Sequence, residues 1–293
     1  MGYIFMVLAL AAGLTKGFCG KKISGIVSTL KGVFYMNTMR MLICILVGFF
    51  IVVTDGLSAF AADYETLLIT FVSGVSTALF VVSWILCIRK GAYVTVDVFL
   101  MLGGALTVGM CKIFFDESIL TNQLIGYILL VIASYFMCSY SSSIKGKFSL
   151  SSFFLLVACG AFSGLSDFAQ KWFTHTLPNG NAAVFNFYTY IFASIVLLIC
   201  FAISNKVEKE PNDAKTIKVF MVVGIMAICL FAYSYFKTKA AVDVPAALLY
   251  PITSGANIVL SALMAAVFFK EKLKLKCITG MAIAIGAIVI MSF

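Results

Sequence analysis

Charged residues are scarce in this sequence, and the signatures of catalytic sites are absent. Only 11% of the residues are charged, whereas ordinary soluble domains carry about 25%. The chain has a single histidine and no HExxH motif, no phosphate-binding GKS or GKT loop and no GxGxxG motif. The nine cysteines include no CxxC pair, which favours packing residues over disulfides or zinc ligands. We therefore predict no enzyme activity, no cofactor and no metal site.

Long apolar runs take the place of the missing charge. Hydrophobic residues make up 62% of the chain, more than the core of a soluble domain can bury. Stretches of about 18 or more apolar residues can cross a membrane as helices, because each residue rises about 1.5 Å. The first stretch is expected to be a retained helix and not a signal peptide. Ten such stretches are predicted, at residues 3–20, 33–53, 66–88, 92–115, 119–140, 150–174, 183–204, 215–236, 244–269 and 273–293.

The sequence also repeats itself. The segment FFDE at residues 114–117 returns as FFKE at residues 268–271, 154 positions later. Gly126 and Gly280 follow the two segments at the same distance. Internal repeats are common in membrane transporters, where two units surround a central substrate site. The sequence therefore predicts two related units of five helices each, with a boundary near residue 145.

The basic residues indicate how the two units are oriented. Each of the 21 lysines and arginines can be assigned to one side of the membrane by the helix end that lies nearest. Seventeen lie on one side, and only Lys112, Lys171, Lys237 and Lys239 lie on the other. Basic loops stay cytoplasmic, so both termini are predicted to face outside, and the net charge of +9 reflects topology and not nucleic-acid binding. An odd number of helices per unit inverts the second copy. We predict an all-α integral membrane protein of ten transmembrane helices, in which residues 1–145 and 146–293 form two inverted five-helix repeats around a central cavity.

Several short motifs accompany this architecture. A glutamate and a following glycine mark the starts of helices 5 and 10, Tyr250 and Pro251 form a step in helix 9, a basic residue (Lys21 or Lys22) ends helix 1, and Arg40 lies in helix 2. In these features the chain resembles the ten-helix transporters of the drug/metabolite transporter superfamily. The resemblance implies a cavity walled by helices 1 to 4 and 6 to 9, with helices 5 and 10 outside it. Members of that family often have cytoplasmic termini, unlike the prediction from loop charge.

Ionisable residues at membrane depth are the first candidates for the site, because each costs at least ~2.5–3.5 kcal/mol there. Asp167 is either a substrate or proton site, or a carboxylate satisfied by neighbours such as Lys171. Asp97 is either a proton carrier in a dry cavity or a carboxylate that stabilises a helix start. Lys16 and Arg40 either clamp an anionic group or extend to the cytoplasmic interface. We expect no direct ion pair between Lys16 and Asp167, since the inverted repeats place them on opposite sides of the midplane.

Aromatic and amide side chains are the second group of candidates. They can form an amphipathic pocket, or they can serve ordinary helix packing. Pro251 interrupts the hydrogen bonding of helix 9 and is either a hinge or a plain kink, and Asp97 occupies its place in the first repeat. The predicted substrate-binding residues of this group are Trp84, Asn186, Tyr188, Tyr190, Tyr233, Tyr235, Tyr250 and Asn257.

These observations favour a secondary transporter in the cytoplasmic membrane, because the chain has no nucleotide-binding motif. Acids and bases near one cavity point to a small polar metabolite, first of all an amino-acid-like zwitterion. A proton-coupled exporter of cationic drugs or amines, a flippase for lipid-linked substrates, and a membrane scaffold without transport activity are the alternatives. The expected partners are the small-molecule substrate, protons or another coupling ion, and membrane lipids. The chain is expected to be a monomer or weak dimer.

Overall fold

The protein is almost entirely helical. A computed structural model describes residues 1–27, 29–89, 93–138, 150–207, 214, 216–269 and 275–292. Within these ranges there is a short 3-10 helix, Leu57–Phe60, and no β-strand. The ten α-helices are α1 (Gly2–Ser24), α2 (Leu30–Thr54), α3 (Tyr64–Arg89), α4 (Tyr93–Phe115), α5 (Thr121–Cys138), α6 (Leu150–Thr176), α7 (Ala182–Val207), α8 (Ile217–Asp243), α9 (Ala246–Phe269) and α10 (Leu275–Met291).

The number and order of the helices confirm the prediction of a ten-helix fold. Eight of them are long and apolar enough to cross a membrane. The apolar parts of α5 and α10 are shorter, Thr121–Met137 and Leu275–Met291. Seventeen residues span about 26 Å, slightly less than the roughly 30 Å of a hydrocarbon core. The chain is therefore an all-helical, multi-pass membrane protein.

Polar side chains fix several helix starts. The Thr29 hydroxyl accepts a 3.0 Å hydrogen bond from the backbone N–H of Gly32, which caps α2. At the start of α3, the Asp63 carboxylate accepts from the N–H of Thr66 at 3.0 Å. This bonding from Thr66 lowers the pKa of Asp63, because it stabilises the ionised form. Caps of this kind satisfy N–H groups that have no partner within the helix.

α5 and α10 pack against each other through glycines that the repeat predicted to be equivalent. A Cβ at Gly126 would lie 2.9 Å from the carbonyl oxygen of Ala287, and a Cβ at Gly280 would lie 2.8 Å from that of Ala133. Each glycine lies early in its helix and its partner late in the other, so the two helices are antiparallel. The two contacts are equivalent in the repeat, because Gly126 and Gly280 are 154 residues apart and so are Ala133 and Ala287.

Four more helix pairs show the same relation. α1 packs mainly on α8, and α6 packs on α3, while α2 pairs with α7 and α4 with α9. Exchanging the first five helices with the last five maps this set of contacts onto itself, as two related units require. The inversion of the whole second repeat and the boundary at residue 145 stay predictions.

α8 is longer than the sequence predicted. The apolar run was expected to end at residue 236, whereas the helix continues to Asp243. Lys237 and Lys239 fall just beyond the predicted end, but both lie on the last turns of α8. The helix continues because Lys237 is only 3% exposed and is paired inside the bundle, where its charge does not oppose burial.

Glycines bring α4 and α6 into backbone contact. A Cβ at Gly103 would collide with the carbonyl group of Gly160, and one at Gly164 would collide with that of Gly103. The Thr107 hydroxyl donates to the Gly164 carbonyl oxygen at 2.9 Å and joins the two helices further. Small residues allow this approach in membrane helices, where packing and interhelical hydrogen bonds stabilise the bundle. The contact fixes the side chains of α4 and α6 that face the centre.

Candidate functional site

A polar cavity lies at the centre of the bundle. Its volume is about 100 Å³, and its lining residues come from α1, α3, α4, α6, α7, α8 and α9. No residue of α2 lines it in the described part of the chain, although the family resemblance implied that helix 2 forms part of the wall. Seven predicted site residues line the cavity: Lys16, Trp84, Asp97, Asp167, Tyr190, Tyr233 and Asn257.

The strongest polar interaction in the cavity is an ion pair between α6 and α8. The Lys237 ammonium group lies 2.8 Å from both carboxylate oxygens of Asp167, and it donates a third hydrogen bond to the Tyr233 hydroxyl at 3.2 Å. The Tyr250 hydroxyl donates to the main-chain oxygen of Asp167 at 2.9 Å. Asp167 therefore has a buried partner, but that partner is Lys237 and not Lys171.

Lys16 is held differently. Its ammonium group lies 4.3 Å from the ring centroid of Tyr233 and 5.9 Å from those of Phe80 and Trp84. No carboxylate of the described residues lies within ion-pair distance of it, and the pair with Asp167 is absent as expected. Aromatic faces attract a cation but do not neutralise it. The cavity thus contains one lysine without an ionic partner.

Asp97 is the acidic residue of the cavity that has no ionic partner among the described residues. Its carboxylate lines the cavity and accepts a hydrogen bond from the Ser261 hydroxyl of α9. Its Oδ2 atom is buried and has no hydrogen-bond partner among the described residues. The predicted alternative, a carboxylate paired with Arg89 or Lys90, involves side chains outside the described residues. The structure therefore brings Asp97 to the cavity with one oxygen free for a ligand.

Neutral polar groups outside the list of predicted site residues complete the wall. The hydroxyl groups of Thr77 and Ser166 share a hydrogen bond of 2.9 Å between α3 and α6. The Gln170 side-chain amide donates to the Thr238 hydroxyl at 2.7 Å, while its carbonyl oxygen is buried without a partner.

Arg40 is a predicted site residue that lies outside the cavity lining. Its side chain belongs to α2, is only 1% exposed and lies beside Cys44 and Tyr190. It is buried within the bundle, so the alternative that it extends to the cytoplasmic interface is wrong. α2 packs on α7, and Tyr190 of α7 both lines the cavity and influences Arg40 electrostatically.

Four other predicted residues also lie outside the lining. The Asn186 amide donates to the Ala182 carbonyl oxygen at 2.7 Å, and the Tyr188 hydroxyl donates to that of Phe60 at 2.7 Å. These bonds support helix packing, the alternative given for them. The Tyr235 ring lies 4.7 Å from the ammonium group of Lys239, away from the cavity. The fourth residue is Tyr250, which contacts the site through its hydroxyl hydrogen bond to the main-chain oxygen of Asp167 and the proximity of its ring to the Lys237 ammonium group.

Pro251 lies near the start of α9, which continues through it without a break. Proline removes the hydrogen bond that its N–H would make to the residue four positions earlier. The helix therefore has a weak point one turn before Ser254, which lines the cavity. Whether Pro251 acts as a hinge stays a prediction.

A second buried ion pair connects the two halves of the chain at the ends of the helices. The Lys171 ammonium group lies 3.0 Å from the Glu117 carboxylate and also donates to the carbonyl oxygens of Ala241 and Val244. The other Glu117 oxygen accepts a 3.0 Å hydrogen bond from the N–H of Ala246, at the start of α9. We call this arrangement the Glu117–Lys171 bridge.

Comparison with known proteins identifies a domain in the second half of the chain. Residues 150–293 match the model of the EamA-like transporter family. The chain carries an EamA-like transporter domain. This match confirms the resemblance to the drug/metabolite transporter superfamily and indicates a membrane transporter. A search of curated proteins finds no match. The chain is also similar to a protein of known crystal structure, with 12% identity, coverage of 99% of this chain and 95% of that one, and a TM-score of 0.76, which shows the shared fold.

The EamA-like domain does not contain the whole cavity. It supplies Asp167 and Tyr233, together with the Lys237 partner of Asp167. Lys16 and Asp97 come from the preceding half of the chain. Both halves therefore contribute charged residues to one site, as in transporters whose substrate binds between two repeats.

Proposed function

We propose that this protein is a secondary transporter that carries a small zwitterionic metabolite across the cytoplasmic membrane by alternating access. The observation that carries the proposal is the pair of Lys16 and Asp97, two cavity residues of opposite charge without ionic partners among the described residues. An amino-acid-like cargo places its carboxylate near Lys16 and its ammonium group near the free oxygen of Asp97. The cargo thereby supplies the partners that buried charges require.

The size of the cavity supports a small cargo. Its volume of about 100 Å³ is below the roughly 300–1,000 Å³ of pockets for drug-sized ligands. The rings of Phe80, Trp84 and Tyr233 form an apolar wall beside Lys16. This combination of few polar anchors and aromatic surface suits a compact organic molecule.

The Glu117–Lys171 bridge supports alternating access. Glu117 lies in the loop between α4 and α5, and it binds Lys171 of α6 and the backbone at the start of α9. The bridge therefore holds the two halves of the chain together at one end of the bundle. The Asn181 amide and the Asp55 carboxylate form a second connection there, at 2.7 Å. Opening of that end requires both connections to break. The inverted arrangement of the repeats would allow an equivalent opening at the other end.

A lipid-linked substrate is the second candidate, because an apolar groove of about 440 Å³ lies between α1 and α9. The related pair, α4 and α6, is closed by glycine contacts, so the groove is specific to one side of the protein. A hydrocarbon tail can lie in this groove while a polar head occupies the cavity. The groove is lined by Leu14, Thr15, Phe18, Leu260, Leu263, Met264, Val267 and Phe268.

Uptake into liposomes that contain the purified protein tests the proposal. A panel of radiolabelled amino acids is first selected by the increase in thermal stability that each produces, since binding stabilises the folded state. Lys16→Gln and Asp97→Asn are expected to abolish uptake of the selected substrate. Lys239→Gln is the matched control, because Lys239 lies on α8 outside the cavity.

Each outcome has a defined meaning. Uptake by Lys16→Gln and Asp97→Asn at the wild-type rate would refute the proposed site. Uptake only of substrates that carry a lipid tail would support the flippase instead. A cationic amine as the preferred substrate would contradict the role given to Lys16, whose charge repels it.

A further inference from the structure

The charged groups around the cavity do not cancel. Lys237 and Asp167 neutralise each other at 2.8 Å, and Lys16 and Asp97 carry opposite charges. Arg40 adds a third cation immediately behind the cavity wall. Among the described residues, three cations therefore face two carboxylates, which leaves an excess of one positive charge.

Among the residues that the structure describes, no carboxylate forms an ion pair with Arg40. Its side chain is 1% exposed, and its Nε and Nη2 atoms are both buried without a hydrogen-bond partner among the described residues. A cation in this position is costly unless an anion or hydrogen-bond acceptors satisfy it. Its neighbours, the thiol of Cys44 and the phenol of Tyr190, are neutral groups in their protonated forms and supply no counter-charge.

The position of Arg40 connects it to the cavity. Tyr190 interacts electrostatically with Arg40 and also lines the cavity, so Arg40 lies near the part of the cavity wall that Tyr190 forms. Arg40 is also close enough to Lys16 for the two cations to repel each other. Both cations thus contribute to a positive potential in the same part of the cavity.

We infer that the cargo carries a net negative charge, with two acidic groups and one ammonium group, and that Arg40 determines this specificity. The inference rests on the proposed function, in which Lys16 and Asp97 bind the two ends of an amino acid. The second acidic group then faces Arg40 and removes the excess positive charge. An acidic zwitterion is the chemical class that satisfies all three unpaired groups.

Paired ligands that differ by one charge test this inference. L-glutamate is compared with L-glutamine, and O-phospho-L-serine with L-serine, by equilibrium binding to the purified full-length protein. The wild type is expected to bind the acidic member of a pair at least about tenfold more tightly, the change produced by roughly 1.4 kcal/mol. Arg40→Gln should remove this preference and still bind the neutral members, whereas Arg40→Lys should retain part of it.

The results separate this inference from the proposed function. If neutral amino acids bind saturably and the acidic members bind no better, the inference is wrong and the zwitterion transporter stands. If Arg40→Gln keeps the full preference, Arg40 does not determine it and the inference is also wrong. If no ligand of either kind binds, both the inference and the proposed function fail.

A measurement without cargo covers the case in which Arg40→Gln does not fold. Trp84 lines the cavity and is one of only two tryptophans, so a Trp172→Phe variant reports on Trp84 alone. The ratio of iodide to caesium quenching should exceed the ratio measured for free N-acetyltryptophanamide, because a positive cavity concentrates anions. Arg40→Lys should preserve this excess. A ratio equal to or below that of the free compound would overturn the inference.

Discussion

Replacement of Lys237 by methionine gives the sharpest test of the charge arrangement in the cavity. Methionine keeps the length and the apolar stem of the side chain but removes the ammonium group. The Asp167 carboxylate, whose side chain is 18% exposed, then loses both of its 2.8 Å contacts with Lys237. An unpaired carboxylate remains within the bundle.

The expected loss follows from the geometry. At 2.8 Å and an effective dielectric constant of about 20, the Coulomb attraction of the pair is about 6 kcal/mol. Part of that attraction offsets the cost of removing both charges from water. Breaking a buried pair by removal of one partner typically costs about 3–5 kcal/mol. We therefore expect Lys237→Met to lower the midpoint of thermal unfolding by at least about 5 °C.

Two further variants separate charge from packing. The double variant Lys237→Met with Asp167→Asn leaves no charge behind, so it should recover most of the lost stability. Lys239→Met is the matched control two residues further along α8. Lys239 contacts the rings of Phe5 and Tyr235 and no carboxylate among the described residues, so its loss should change the unfolding midpoint little.

Thermal unfolding of the four proteins in detergent, followed by tryptophan fluorescence, measures these differences. If the double variant is no more stable than Lys237→Met alone, the ion pair does not stabilise the structure. A Lys239→Met variant as unstable as Lys237→Met would also refute the reasoning. In that case, the loss would reflect packing of α8 and not the charge of Asp167.

The remaining predictions concern helix contacts away from the pair. Gly103→Ala should destabilise the fold by about 1–3 kcal/mol, because the added Cβ collides with the backbone of α6. At Gly224 an added Cβ meets open space, so Gly224→Ala should be neutral or slightly stabilising. Equal midpoints of thermal unfolding for the two variants would contradict the close contact of α4 and α6. Glu117→Gln should weaken the Glu117–Lys171 bridge and increase labelling of a cysteine placed at Ser166 in the cavity, measured from the side of the membrane that carries this bridge. Unchanged labelling would show that the bridge does not keep that end closed.

Most of the fold could be predicted from the sequence, since apolar length alone determines where a helix can cross a membrane. The main failure was the end of α8, which was predicted at residue 236, just before Lys237. A hydropathy pattern stops at the first charged residue and carries no information on whether that charge has a partner. The partner, Asp167, is 70 positions away in another helix, so no local pattern identifies the pair.

The candidate site could be predicted only in part, for the same reason. Ionisable residues at membrane depth drew attention to Lys16, Asp97 and Asp167, and all three line the cavity. Distinguishing a paired charge from an unpaired one requires the contacts between helices. Asp167 was the leading candidate from the sequence, but it is satisfied by Lys237, whereas Asp97 retains a buried oxygen without a partner.

That distinction decides which residues are expected to bind cargo. A charge paired within the protein already has its counter-ion, and its removal should first change stability. A buried charge without a partner is costly in the empty protein, and a ligand of opposite charge reduces that cost. Substitutions at Lys16, Arg40 and Asp97 should therefore weaken binding more than they weaken folding. Substitution of Lys237 should do the reverse, and comparing unfolding midpoints with ligand affinities across these four positions tests the assignment directly.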